Sequence, residues 1–311
     1  MSKKNKMKFR IDLYALKSAV AKCNLTCGYC HLDYFAIPGH FDDSGAHEIS
    51  ELISLCLQAG NVDGKDIKLH YSGRAEPLLL NKDAFISETQ KLKLAFPDAE
   101  KTITTNGIRL AEYAEAIQEA GITKVNVSHH NYSETMERRV LEGIRSAKSY
   151  GLDAGLNVVA TEDVTENLER FIKLGDDNSL TLKFFNLIAD DKNYTKHLFE
   201  EFLRRIEDFS TDEIDHDIDK NRIRMRSHSG NLIVIKLEEK FTDRPDECLQ
   251  CEKLQQCDES CWDTIRITPW YIRPCGVRED NIYMADEMNA GSLRNKLLSG
   301  GKLTNLNILQ N

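Results

Sequence analysis

The stretch KVNVSHHNYSETMERRVLEGIRSAKSYGLDAGLNVVAT, residues 124–161, reads as one complete strand, helix, strand unit. KVNVSHH (124–130) is a short β-rich run that ends in polar residues. SETMERRVLEGIRSAKSYG (133–151) has helical periodicity and closes on glycine. GLNVVAT (155–161) is the next strand. Two strands joined by a helix of this length run parallel, because a parallel return needs a crossover of a dozen residues or more.

The same unit repeats on either side. Strand-like runs occupy IDLYALKSAV (11–20), IKLHYSG (67–73), KTITTN (101–106) and LTLKFFNL (180–187). Helical stretches fill 47–60, 82–96, 110–121 and 164–175, and another lies near 194–209. Six βα units predict an α/β fold with a parallel sheet, open or closed into a barrel, and with the family resemblance given below the expected form is a partial (β/α)6 TIM-like barrel over residues 8–210. Sites in such folds form at the carboxyl ends of the strands. The polar motifs fall there: CNLTCGYC (23–30), SGRAEP (72–77), TNG (105–107) and SHHNYS (128–133). The stretch 211–230 loses periodicity and reads as a connection. NLIVIKL (231–237), TIRIT (264–268) and YIRPC (271–275) are β runs of a smaller C-terminal region, 231–311.

Composition narrows the function classes. The 311 residues carry 41 Lys and Arg against 50 Asp and Glu, a net charge of −9. A nucleic-acid partner needs a positive face, so it is disfavoured. No apolar run reaches membrane-span length, and MSKKNKMKFR is basic with no apolar core behind it, so the expectation is a cytoplasmic protein without a membrane partner. Nine cysteines fall in two tight groups plus Cys56, a pattern of metal or cluster binding rather than of an exported disulfide framework.

Cys23, Cys27 and Cys30 have the spacing C-x3-C-x2-C in a loop after a strand. Three thiolates hold three irons of a 4Fe–4S cube and leave the fourth open to a ligand. A zinc site completed by His31 or a distant group is the structural alternative. The motif, with Tyr29 before the last cysteine, resembles that of the radical S-adenosylmethionine (SAM) enzymes. The resemblance implies that the open iron chelates SAM, whose reductive cleavage gives a 5′-deoxyadenosyl radical that abstracts hydrogen from a substrate. It also implies an electron donor such as flavodoxin or ferredoxin. The family's Gly-Gly-Glu-Pro loop is matched by YSGRAEP, with Gly73, Glu76 and Pro77 in place. Ser72 and Ala75 depart from it, and Ala75 requires a negative φ. By the same resemblance Tyr29, Asn106, Ser128 and Asn157 join the SAM-binding set.

Cys248, Cys251, Cys257, Cys261 and Cys275 resemble the second half of the SPASM extension, or its shorter relative, twitch. The upstream SPASM cysteines are lacking, which implies one auxiliary 4Fe–4S cluster. Either Cys248, Cys251, Cys257 and Cys275 close it, or Cys257, Cys261 and Cys275 bind it and leave an iron open to substrate. A zinc ribbon is the structural alternative. The stretch 261–275 also resembles the final strand pair of the cyclases that make the molybdopterin precursor.

Other residues carry weaker signals. Cys56 reads as a buried small hydrophobe. Strand alternation turns only one of His129 and His130 inward. Arg222, Arg224 and Arg226 share one face of a strand, suited to an anion or to a solvated edge. Arg266 and Arg273 suit a phosphate or carboxylate, with Trp270 and Tyr271 at the mouth. Peptide-modifying relatives often carry a leader-binding domain, and the residues before Cys23 are too few for one. The expected substrate is therefore a small metabolite, nucleotide- or aminosugar-like, with a ribosomally made peptide as the runner-up. A non-enzymatic iron–sulfur or zinc module is the remaining alternative.

Overall fold

The computed structural model describes residues 6–12, 23–30, 46–73, 75–130, 132–187, 191–211, 214–217, 222–237, 251–252, 264–273, 283–285, 289 and 291–293. Six strands, β1 (Met7–Ile11), β2 (Ile67–Tyr71), β3 (Glu100–Thr105), β4 (Lys124–His129), β5 (Asp153–Ala160) and β6 (Thr181–Asn186), pair in chain order and all in parallel. Helices α1 (Ile49–Gly60), α2 (Lys82–Ala95), α3 (Leu110–Glu119) and α4 (Glu134–Ser149) make the first four crossovers. The expected helix over 164–175 is two, α5 (Glu162–Glu166) and α6 (Leu168–Asp177). The chain turns at Asn167, which caps both. Helix α7 (Lys192–Ile206) follows β6.

One face of this sheet is apolar. Phe9, Ile11, Leu69, Ile103, Val125, Val127, Leu156, Val158, Leu182 and Phe184 are buried in one core with Ile53, Phe85, Tyr113, Ile117, Ile144, Phe171 and Phe202 of the helices. At about 1.5–3 kcal/mol for each fully buried large apolar side chain, this layer is the main stabilising term. The alternate strand positions are different in kind. Lys8 and Arg10, Lys68 and His70, Asn126 and Ser128, Asn157, and Lys183 point away from the helices, as the period of two requires. The inside of a filled TIM barrel is layered with branched apolar side chains. A polar inner face belongs to a sheet that opens onto a ligand.

The first strand lies at Met7–Ile11, upstream of the expected 11–20, of which 13–20 fall outside the described residues. Its alternation of basic and apolar residues, MKFRI, masks a half-buried strand as a polar segment. The stretch 210–230 also differs from expectation. It holds β7 (Asp215–Asp217) and β8 (Arg222–Arg226), and β8 pairs antiparallel along its length with β9 (Leu232–Lys236). Gly230, at φ +89°, closes the hairpin, which Ser227 and Asn231 tether to Asp176 of α6. β8 is not an edge, since β7 covers its other side.

The later strands extend the same sheet at both ends. β9 runs parallel to β6. β10 (Thr264–Ile267) runs parallel to β1 and is followed by β11 (Tyr271–Arg273) and β12 (Tyr283–Met284). The order is β12-β11-β10-β1-β2-β3-β4-β5-β6-β9-β8-β7. Among the described residues no helix is long and apolar enough to cross a membrane.

Candidate active site

The loops at the carboxyl ends of β2 and β3 are tied together by one buried carboxylate, and a tyrosine adds the loop after β4. Glu76 is 5% exposed. With Pro77 it starts a 3-10 turn, and its Oε1 accepts from the Leu78 N–H at 3.1 Å and from the Thr105 hydroxyl. Its Oε2 accepts from the Asn106 N–H at 2.7 Å. Burial raises the Glu76 pKa, and these hydrogen bonds oppose the rise. Tyr132 closes the knot by donating to the carbonyls of Asn106 (2.9 Å) and Ser128 (3.0 Å). Gly107, at φ +78°, leaves no room for a Cβ, which would meet Val127 at 2.7 Å. Gly73 lies so close to the Asp12 side chain that any Cβ there would overlap it.

The three-cysteine loop sits on this knot. The Cys30 N–H donates to the Cys27 carbonyl at 3.0 Å, turning the chain between the last two thiols. Two side-chain pairs hold the loop to the strand ends. Asn106 Nδ2 donates to Asn24 Oδ1 at 2.7 Å, and Tyr29 Oη lies 2.7 Å from His130 Nδ1. All three cysteines are free thiols. Burial and the neighbouring thiols push Cys27 up to about 11, and burial raises Cys23 as well. Thiols that raise one another in this way ionise readily only against a cationic centre. Three thiols in one loop can each take one corner of a cube, so the donor set fits a 4Fe–4S cluster.

Strand register explains the rest of the predicted set. Ser128 and Asn157 are directly paired neighbours on the inner face, and Asn157 pairs in turn with Lys183. Of the two histidines, His130 reaches Tyr29 on the site side. His129, 2% exposed, faces the helices and meets Glu137 of α4 at 3.0 Å, with Arg170 on the same carboxylate at 2.8 Å. Cys56 is fully buried, as its helix face predicted. Trp270 and Tyr271 are each 5% exposed, packed inside rather than at an open mouth. Of the later cysteines only Cys251, a free and partly buried thiol, is described; Cys248, Cys257, Cys261 and Cys275 lie outside the described residues.

The inner face also brings Arg222, Arg266 and Arg273, which the sequence offered as anion ligands, together with Arg10, Lys183 and Lys236, which it did not single out. Arg10 pairs in register with Arg266, and Arg266 with Arg273, so three guanidiniums stand side by side across β1, β10 and β11. Arg222 stands opposite Lys236 across β8 and β9. Lys183 is buried near Arg222, Lys8, Lys236 and Lys68, and its pKa falls well below the usual lysine value through burial first and then these cations. His70, set between Thr102 (2.6 Å) and Thr104 (3.2 Å), is held neutral by burial and by Lys8, Arg10, Lys68 and Lys183. The signal was a basic residue at every second position in MKFRI, IKLHY and RIRMR, with a single lysine ending LIVIK. Without the register, those strands could not be seen to share one face.

Comparison with known proteins agrees with this geometry. The family profile described as Radical SAM superfamily matches residues 18–186. The chain is 31% identical over 188 residues to a GTP 3′,8-cyclase of Peptoclostridium acidaminophilum, covering 56% of this chain and 55% of that protein. It is 27% identical over 293 residues to a probable GTP 3′,8-cyclase of Methanocaldococcus jannaschii, covering 89% of each. Among solved structures, anSMEcpe with bound AdoMet and the Cp18Cys peptide superposes with a TM-score of 0.51 at 15% identity, covering 97% of this chain and 99% of that one, a likeness of fold.

Proposed function

The chain belongs to the radical SAM superfamily, and from that premise we propose that it is a radical SAM enzyme acting on an anionic nucleotide by a cyclase-type reaction. The 4Fe–4S cluster and SAM supply a reducing electron and a hydrogen-abstracting radical when bound. The residues of this chain have other tasks. Cys23, Cys27 and Cys30 are the cluster ligands. Gly73, Glu76, Pro77 and Asn106 shape the SAM-binding rim, and Tyr29, Ser128 and Asn157 line it. Glu76 joins the loops after β2 and β3 and has both oxygens occupied by protein donors, so it orders the rim rather than facing it.

The observation that carries the substrate reading is the cationic inner face. Arg10, Arg266 and Arg273 in one row, and Arg222 against Lys236 beside Lys183, form a cationic face of the kind that recognises a polyphosphate. A chain of net charge −9 that gathers cations on its inner face selects anions there. The relatives named GTP 3′,8-cyclase support the same substrate class. Residues 231–311, with Cys248, Cys251, Cys257, Cys261 and Cys275, carry the auxiliary cluster in this reading, after the connection 211–230. Reduction comes from a donor such as flavodoxin or ferredoxin.

The test is anaerobic reconstitution with iron and sulfide, followed by reduction with dithionite in the presence of SAM. Nucleoside triphosphates should accelerate 5′-deoxyadenosine formation at least tenfold, and the corresponding nucleosides should not. Equal rates with and without every nucleotide would remove the substrate reading while leaving the superfamily untouched.

A further inference from the structure

Asn106 occupies the junction of the four site loops, and each of its polar groups has a partner inside the protein. Its backbone N–H donates to Glu76 and its carbonyl accepts from Tyr132. Its side-chain Oδ1 accepts from the Ile108 N–H at 3.1 Å, which fixes the amide's orientation. Nδ2 must then face the cysteine loop. It has two N–H groups and two acceptors there: Asn24 Oδ1 at 2.7 Å and Cys23 Sγ at 3.9 Å, the outer reach of a hydrogen bond to sulfur. The side chain belongs to a residue only 4% exposed, so water does not compete for these donors.

We propose that Asn106 is a positioning residue of the iron–sulfur centre, donating one N–H to Cys23 Sγ and the other to Asn24 Oδ1, and thereby setting both the seat of the cysteine loop and the reduction potential of its cluster. Hydrogen bonds to cluster sulfurs favour the reduced, more negative state and so raise the potential. The inference rests on the placement of the cluster at Cys23, Cys27 and Cys30 and adds a residue that works through Cys23. Asn24 has the mechanical part of the task, and the Asn106 N–H on sulfur has the electronic part.

Two measurements test it on the reconstituted full-length protein. The first uses the wild-type chain with asparagine labelled by 15N in the side chain only, because the Leu25 N–H also approaches Cys23 Sγ and would mask a uniform label. Pulsed EPR of the reduced cluster should show a weakly coupled 15N. No coupling, with a full cluster signal present, overturns the proposal. The absence of any cluster signal would instead sink the ligand assignment. The second measurement compares potentials. Asn106→Leu should lower the potential so that, at the wild-type midpoint, the reduced-to-oxidised ratio falls about threefold to tenfold, the larger change being about 59 mV for a one-electron couple. Asn24→Ala should keep the wild-type potential and lose iron to a chelator about threefold faster. An unchanged potential in Asn106→Leu, or equal shifts in both variants, overturns the electronic role.

Discussion

At the residue scale the site depends on groups that hold other groups. Glu76 lies in the family's Glu-Pro motif, yet its oxygens accept from Leu78, Thr105 and Asn106 and bind two loops into one body. Glu76→Ala strands those donors in a buried place. It should reduce stability by about 3 kcal/mol in urea unfolding and lower the iron retained after reconstitution, because the loop beneath Cys23 loses its support. A loss below about 0.5 kcal/mol would show that the knot contributes nothing. The motif made Glu76 visible in the sequence. Its partners Thr105 and Asn106 come from another strand end, and only folding brings them to it.

At the element scale, strand register decides what each side chain faces. β6 and β9 pair Lys183 with Val234 and Phe184 with Ile235. Lys183 thus shares the inner face with Val234, while Phe184 and Ile235 face the helices. Lys183→Met should therefore act with opposite sign on two observables. Without ligand it removes a buried cation from beside Arg222, Lys8, Lys236 and Lys68, so the protein should be as stable as wild type or about 1 kcal/mol more stable in urea unfolding. Nucleotide affinity by calorimetry should fall about tenfold or more, because one desolvated positive partner of the phosphates is gone. Destabilisation together with unchanged affinity would place Lys183 in the scaffold and not in the binding face.

At the scale of the whole molecule, acid should destabilise the protein between pH 6.5 and 4. His130 has its pKa lowered to about 4, first by burial and then by His129. His129, facing Glu137 and Arg170, and His70, facing Lys8, Arg10, Lys68 and Lys183, are lowered in the same direction, burial leading in each. A histidine lowered by folding is protonated first in the unfolded chain. Its contribution is therefore complete above pH 6.5 and is lost as pH falls towards the folded value. From pH 7 to pH 5 His130 alone should account for a loss of about 2 kcal/mol. Urea unfolding of the apoprotein at the two pH values measures this, and His130→Asn should flatten the profile. An equal stability at both would mean that these histidines are solvated.

The sequence alone determined the α/β class, the parallel order of six strands, the positions of the motif loops and the Cys-x3-Cys-x2-Cys pattern. These are local matters, since a period of two or of 3.6 and the spacing of neighbouring residues are written along the chain. It also placed Cys56 in the core and turned one of two adjacent histidines inward. Only the tertiary structure decided that β10 joins β1, that β9 joins β6, and that Arg10, Arg266 and Arg273 stand in one row. The partners of β1 and β10 lie about 256 residues apart and those of β6 and β9 about 51, and nothing in either segment reports the register of the other. The same holds for Asn106, whose place under Cys23 is fixed by a fold that brings distant loops to one end of a sheet.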